Sequence, residues 1–223
     1  MAFATLAETG WLRVPSCLPR QVLEGLPIVT ALDAGDPGSR NLLMEGWCSE
    51  LVAPLRNGLG VLGLLSTDAV AVQCTLFRKT PACNWKVPYH QDLSIPVAER
   101  AAHPALSGWS VKEDGLYVQP PIELLDGLLA ARLHLDPCGD DDGALRVVSG
   151  THRLGRLSAE RVAAMDKRCD EVVCTADVGD VLLMHPLLLH ASSKARRPNG
   201  RRVLHFLFAP PDPGCGLQWR IAV

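Results

Sequence analysis

His90-Gln91-Asp92, followed far downstream by His190 and Arg201, is the part of this sequence whose residue types and spacing could do chemistry. Two imidazoles and one carboxylate are the ligand set that holds Fe(II) on one face and leaves the remaining positions open. Strand side chains alternate, so a His-x-Asp on a strand would put both ligands on one face. The second histidine must then arrive from a strand adjacent in space. An arginine shortly beyond it could grip a dicarboxylate, because its planar fork binds a carboxylate bidentately. Asp92 among apolar neighbours would be costly to bury unpaired; a divalent ion shared with His90 and His190 removes that cost. A lone His-x-Asp arises by chance, and single histidines are usually hydrogen-bonded core or surface groups. The rest of the chain has to decide.

The elements that must position these residues change in character along the chain. Gly10 to Val14 reads as a short strand closed by Pro15. Helical spacing runs from Pro19 through PRQVLEGLPIVTALDA, interrupted at Pro27, and a Gly/Pro/Asp/Ser loop follows over Asp33 to Arg40. Ser39 or Asn41 could cap a second helix, about NLLMEGWCSELVAPLRNGL, with Pro54 as a kink. Beyond residue 68 come short apolar runs rich in Val and Leu, including AVAVQCTLFRK, WKVPYHQDLSI, LLAARLHLD, ALRVVSG, DVLLMHPLLLHAS and RRVLHFLFA. Turn residues punctuate them, a pattern that predicts a sandwich or barrel. Ser158 to Arg168 is the one persuasive later helix, with Ser158 as its cap. More than thirty residues separate Ile95 from Leu128, too many for a plain connection in a compact domain. The segment 96–127 leaves the His-x-Asp strand and is expected to form a lid.

Composition sets the outer bounds. The chain has 223 residues, 48% apolar and 21% charged, with a formal charge of −2. That predicts one domain with a sizeable core, a helical support over about 16–66 and a strand-rich core over about 68–210. The charge gives no bias toward nucleic acid or an anionic membrane. No stretch approaches the ~20 apolar residues of a membrane span, and the N-terminus lacks the pattern of a signal peptide. The eight cysteines are scattered without a CxxC pair and are expected as reduced thiols in a cytoplasmic protein. Oligomeric state is not readable from these features.

WKVPYHQDLSI, GALRVVSGTHRLGRL and GDVLLMHPLLLHASS…RRVLHF, in that order, resemble the phytanoyl-CoA dioxygenase-like family of Fe(II)- and 2-oxoglutarate-dependent oxygenases. The resemblance covers roughly 68–210 and implies a double-stranded β-helix, a cupin-like jelly roll with flanking helices. It implies iron ligands at His90, Asp92 and His190. It places the 2-oxoglutarate arginine at Arg201, with Arg202 as the neighbouring competitor facing the other way, and a co-substrate serine at Ser192. Lys79 resembles a lysine that contacts 2-oxoglutarate in some relatives; otherwise it is an exposed strand-end lysine. Gln73 shares a strand face with Thr75, Phe77 and Lys79 and would then point toward substrate, or else is a surface glutamine.

The chain departs from the family at Arg132, where many relatives carry tryptophan. A buried arginine needs an anionic partner: a substrate or co-substrate carboxylate, or a structural acid such as Asp136 or the Asp140–Asp142 cluster. His134, on the same face, is a second candidate, and Lys86 and Trp109 complete the residues assigned to substrate. Related halogenases replace the metal carboxylate with a small residue; Asp92 is retained, which disfavours halogenation. His185 points away from His190 on a strand and is expected in core or surface, as is His152 in its turn, whereas His205 shares a face with Arg201. Asp140-Asp141-Asp142-Gly143 lacks the alternating acids of a calcium loop and reads as a polar turn. The expected activity is hydroxylation by O2 of a small organic substrate, anionic ones among the candidates, releasing succinate and CO2. Alternatives are a non-catalytic metal or 2-oxoglutarate sensor on the same jelly roll, and a zinc-dependent hydrolase.

Overall fold

A computed structural model describes residues 2–27, 39–113, 115–165 and 170–223. Helix α1 (Ala2–Thr9) precedes strand β1 (Trp11–Val14). Gly10 ends α1 at φ +80°, and a Cβ there would lie 2.4 Å from His152 Nδ1, so only glycine fits. The helical region follows as α2 (Arg20–Glu24), a 3-10 turn at Leu42–Met44, α3 (Gly46–Glu50) and α4 (Val52–Val61). The single helix expected over 41–59 is thus three pieces. Pro54 sits in the first turn of α4 rather than at a kink, a position where its missing N–H costs nothing. Asn41 precedes the 3-10 turn without a side-chain cap bond; Ser39 Oγ accepts from its backbone N–H at 3.2 Å. The rest of the first expected helix, from residue 28, lies outside the described residues, as do loop positions 33–38.

Among the described residues eleven further strands carry the remainder: β2 (Val70–Lys79), β3 (Val87–His90), β4 (Ile95–Val97), β5 (Ser107–Lys112), β6 (Gly115–Gln119), β7 (Leu129–His134), β8 (Leu145–Val148), β9 (Val172–Cys174), β10 (Val181–Met184), β11 (Leu189–Ser192) and β12 (Arg201–Ala209). A five-stranded sheet runs β1-β10-β7-β12-β2 and faces a four-stranded sheet β3-β11-β8-β9. All of these pairings are antiparallel. This is the sandwich that the punctuated apolar runs predict, in the jelly-roll form that the family resemblance implies. Among the described residues two short helices complete it, α5 (Ile122–Asp126) and α6 (Ala159–Met165). Arg161 N donates to Ser158 Oγ at 3.3 Å, the expected cap of α6; residues 166–168 of that expected helix lie outside the described residues. α1 and α5 were not foreseen, each being too short to show a helical period.

The period of two sorts the large sheet into two faces. Leu204, Phe206 and Phe208 of β12, Ala131 and Leu133 of β7, and Val181 and Leu183 of β10 pack with Leu55 and Leu59 of α4. Each of those fully buried leucines contributes about 1.5–3 kcal/mol. The alternate residues Ala130, Leu182, Met184 and Leu207 join Leu145, Val147, Leu187 and Leu188 inside the roll. A bulge on β2, where Leu207 pairs with Gln73 and Phe208 with Ala71, keeps Gln73, Thr75, Phe77 and Lys79 on the interior side. The segment 96–127 is not a bare loop. β4, β6 and β5 form a third antiparallel sheet, in that order, and α5 closes the segment after Pro121.

Candidate metal centre and its cavity

Strands β3 and β11 set His90 directly opposite His190, and their rings lie 4.2 Å apart between centroids. His90 Nδ1 is 2.9 Å from Pro88 O and His190 Nδ1 is 2.8 Å from Leu188 O. A carbonyl only accepts, so both Nδ1 atoms carry hydrogen and both Nε2 lone pairs face inward. Asp92 corrects one expectation, since it lies beyond the end of β3. A strand face does not aim it. Its backbone N–H donates to Pro186 O at 2.9 Å, and Gln91 anchors the turn on three sides. Gln91 Nε2 donates to Gly155 O at 2.9 Å and Leu187 O at 2.6 Å, and its Oε1 accepts from Leu157 N at 2.8 Å. Nothing in the triplet assigned Gln91 a task; its partners lie far away in sequence.

The result is three ligand atoms, one each from His90, Asp92 and His190, all within 4.8 Å of one another. Each imidazole Nε2 is 3.6 Å from an Asp92 oxygen. Burial pushes the Asp92 carboxyl up, but the facing His190, His90 and His205 rings overcome it and hold it well below the ordinary range. Burial lowers His190 to about 4 against the opposing charge of Asp92. Two neutral imidazoles and an ionised carboxylate are what a divalent ion needs. His205 adds an outer contact. Arg132 Nη1 donates to its Nδ1 at 3.1 Å, which leaves the proton on Nε2, 4.0 Å from Asp92 Oδ2.

The cluster opens into a cavity of about 480 Å³. Gln73, Lys79, Arg132, Ser192 and Arg201 all line it, as the sequence reading expected. Lys79 and Arg201 are cross-strand partners. Lys79 is buried, not an exposed strand end; its Nζ donates to Ser193 O and lies 3.3 Å from Ser192 Oγ. Burial, then the charge of Arg201, lowers it to about 8. Arg201 Nη2 donates to Gly143 O at 3.1 Å. Arg202 points elsewhere and forms a bidentate pair with Asp136 at 2.7 and 2.8 Å. That removes Asp136 as the partner foreseen for Arg132, which instead lies over the Phe77 ring at 5.2 Å. Nε of both Arg132 and Arg201 is buried without a partner.

Three expected substrate residues are not in the cavity wall. Lys86 is exposed, and its neighbour Trp85 lines the cavity instead. Trp109 stacks under Arg100 at 5.0 Å. His134 is buried at the end of β7 and does not reach the lining. The other readings are matched by the geometry. His185 pairs with Asp126 at 3.5 Å on the far side, His152 bonds Ala7 O at 3.1 Å, and the Asp140–Asp142 run is a capped 3-10 turn. Free thiols account for every described cysteine, Cys169 lying outside the described residues. No helix among the described residues is long and apolar enough to cross a membrane. The cavity also takes Arg40, Lys112, Tyr117 and Gln119, which the sequence reading left unassigned. The alternation in GLYVQ could have flagged Tyr117 and Gln119 as one face, but only the sheet says which way it looks.

A family model described as phytanoyl-CoA dioxygenase matches residues 61–203. Among solved structures, HygX from Streptomyces hygroscopicus, crystallised with nickel and 2-oxoglutarate, superposes with a TM-score of 0.63 at 17% identity, covering 94% of this chain and 86% of that one. The non-heme α-ketoglutarate-dependent epimerase SnoN of nogalamycin biosynthesis gives 0.63 at 14%, covering 93% and 80%. The carbocyclase SnoK of the same biosynthesis gives 0.62 at 17%, covering 95% and 83%. No curated protein matches the chain in sequence.

Proposed function

The chain belongs to the phytanoyl-CoA dioxygenase family, and on that premise we propose that it is an Fe(II)- and 2-oxoglutarate-dependent dioxygenase that hydroxylates a small organic substrate carrying an anionic group. The observation that carries the reading is one cavity holding both the His90, Asp92 and His190 cluster and the Arg201 and Lys79 pair. The donor set fits ferrous iron, with both Nε2 lone pairs and the carboxylate turned to one point. Iron bound there would supply oxygen activation coupled to decarboxylation of 2-oxoglutarate, with release of succinate and CO2.

The residues of the chain do the rest. Arg201, which lines the cavity, would meet the far carboxylate of 2-oxoglutarate, and Ser192 and Lys79 would add donors beside it. A cation buried without an acid is disfavoured, so an incoming dicarboxylate lowers the energy of this end of the cavity. Arg132 supports the centre through His205 and adds its positive charge to the same cavity. The segment 96–127 would act as the lid wall that excludes water above the metal. HygX has been crystallised with hygromycin B bound, and SnoN and SnoK come from nogalamycin biosynthesis, which favours a small organic substrate here, and desaturation or ring formation would use the same ligands.

The test is a metabolite panel offered to Fe(II)-loaded protein with 2-oxoglutarate, following substrate-dependent succinate release and oxygen uptake. His190→Ala should abolish both. Undiminished succinate from that variant, or full turnover without oxygen, would overturn the proposal, the latter in favour of a hydrolase.

A further inference from the structure

One wall of the cavity has no part in holding metal or co-substrate. Strand β5 pairs Lys112 with Gly115 of β6 and Ser110 with Tyr117. Cross-strand partners share a face and residues alternate along a strand. Lys112, Tyr117 and Gln119 therefore stand on one side of the β5–β6 hairpin, and all three line the space shared with Asp92.

These side chains are unusual in what they lack. Among the described residues no acid pairs with Lys112, whose ammonium rests over the Tyr117 ring at 4.9 Å. The Tyr117 hydroxyl and the Gln119 carboxamide likewise have no protein hydrogen bond. The adjacent Glu113 is already taken, pairing with Arg40 at 2.8 Å. Burial, then the charge of Arg40, lowers the Lys112 ammonium, with Asp92 opposing. A lysine held beside another cation gains from an anion that supplies the missing charge. Arg40, Lys79, Lys112, Arg132 and Arg201 line the cavity against a single acid, Asp92. The two carboxylates of 2-oxoglutarate would be met by the metal and Arg201, which leaves the hairpin wall unmatched.

We infer that the β5–β6 hairpin is a substrate-recognition element in which Lys112, the Tyr117 hydroxyl and the Gln119 carboxamide bind an anionic oxygen group, a carboxylate or a phosphate ester, while the carbon to be oxidised faces the metal. The inference rests on the functional reading above. Three donors on one rigid face suit an acceptor-only group, and a neutral amide would leave the lysine charge unmatched.

The experiment uses the protein loaded with Ni(II) and 2-oxoglutarate, and measures binding of benzoate, phenyl phosphate and benzamide by calorimetry. Broadening of the probe resonances by the paramagnetic ion reports that they sit in the metal cavity. Wild type should bind at least one anion about tenfold or more tighter than benzamide. Lys112→Met should erase that preference, and Lys112→Arg should keep most of it, which separates loss of charge from loss of fold. The ranking of benzoate against phenyl phosphate names the kind of anion. No preference in wild type, a preference that survives in Lys112→Met, or an equal loss of 2-oxoglutarate affinity in that variant would overturn the inference. Wild type that fails to bind 2-oxoglutarate at all would overturn the functional reading, and this inference with it.

Discussion

Two neighbouring arginines with opposite fates show how much one position along a strand decides. Arg201 faces the interior and Arg202 the Asp136 carboxylate, because successive strand side chains point to opposite faces. Arg201→Ala should raise the 2-oxoglutarate requirement by about tenfold to a hundredfold, the loss of one or two charge-assisted bonds, with metal affinity intact. Arg202→Ala should leave that requirement alone and lower stability by about 1 kcal/mol, since its ion pair is only partly exposed. Titrations with 2-oxoglutarate and thermal melts on both variants check the pair. The reverse pattern would mean that the wrong arginine has been assigned to the co-substrate.

The centre is held less by strands than by what happens at their ends. Gln91 ties the Asp92 turn to Leu157, Gly155 and Leu187. Gln91→Leu would strand a buried backbone N–H and two carbonyls, costing roughly 2 kcal/mol or more. Metal affinity should fall with it, read by chelator competition; an unchanged affinity would mean the turn holds Asp92 without Gln91. Gly143 is the second such point. It ends its 3-10 turn at φ +68°, and a Cβ there would lie 2.6 Å from Ser193 O and 2.9 Å from Lys79 Nζ. Gly143→Ala should cost about 1–3 kcal/mol and raise the 2-oxoglutarate requirement by displacing Lys79. A melt and a binding curve equal to wild type would refute that. The hairpin β5–β6 makes the same point from the other side, since its register alone turns Lys112 inward.

Across the whole molecule the jelly roll holds its buried histidines in the neutral form. Burial lowers His185 to about 4 and His134 to about 3. The unfolded chain protonates these groups near their ordinary value of about 6.5, so it binds more protons than the folded chain below that point. Stability should therefore be level above about pH 6.5 and fall on acidification toward pH 4, by up to about 1.4 kcal/mol per pH unit for each group. Denaturant melts from pH 7.5 to 4.5 would show it, and replacing His185 by Gln should flatten the slope. The His90, Asp92 and His190 donor set, the strand-rich sandwich and the shared face of Gln73, Thr75, Phe77 and Lys79 on β2 were legible in the sequence. Each rests on a residue type or on the period of two, which act locally. Lys86, Trp109 and His134 fall outside the cavity wall, and Gln91, Lys112, Tyr117 and Gln119 drew no assignment from the sequence, because their surroundings come from segments distant in the chain. Sequence alone determined which groups could bind a metal and a dicarboxylate, since donor chemistry belongs to the side chain. Only the tertiary structure decided which cations share the cavity and which are neutralised elsewhere, because burial and charge pairing depend on the contacts that folding makes.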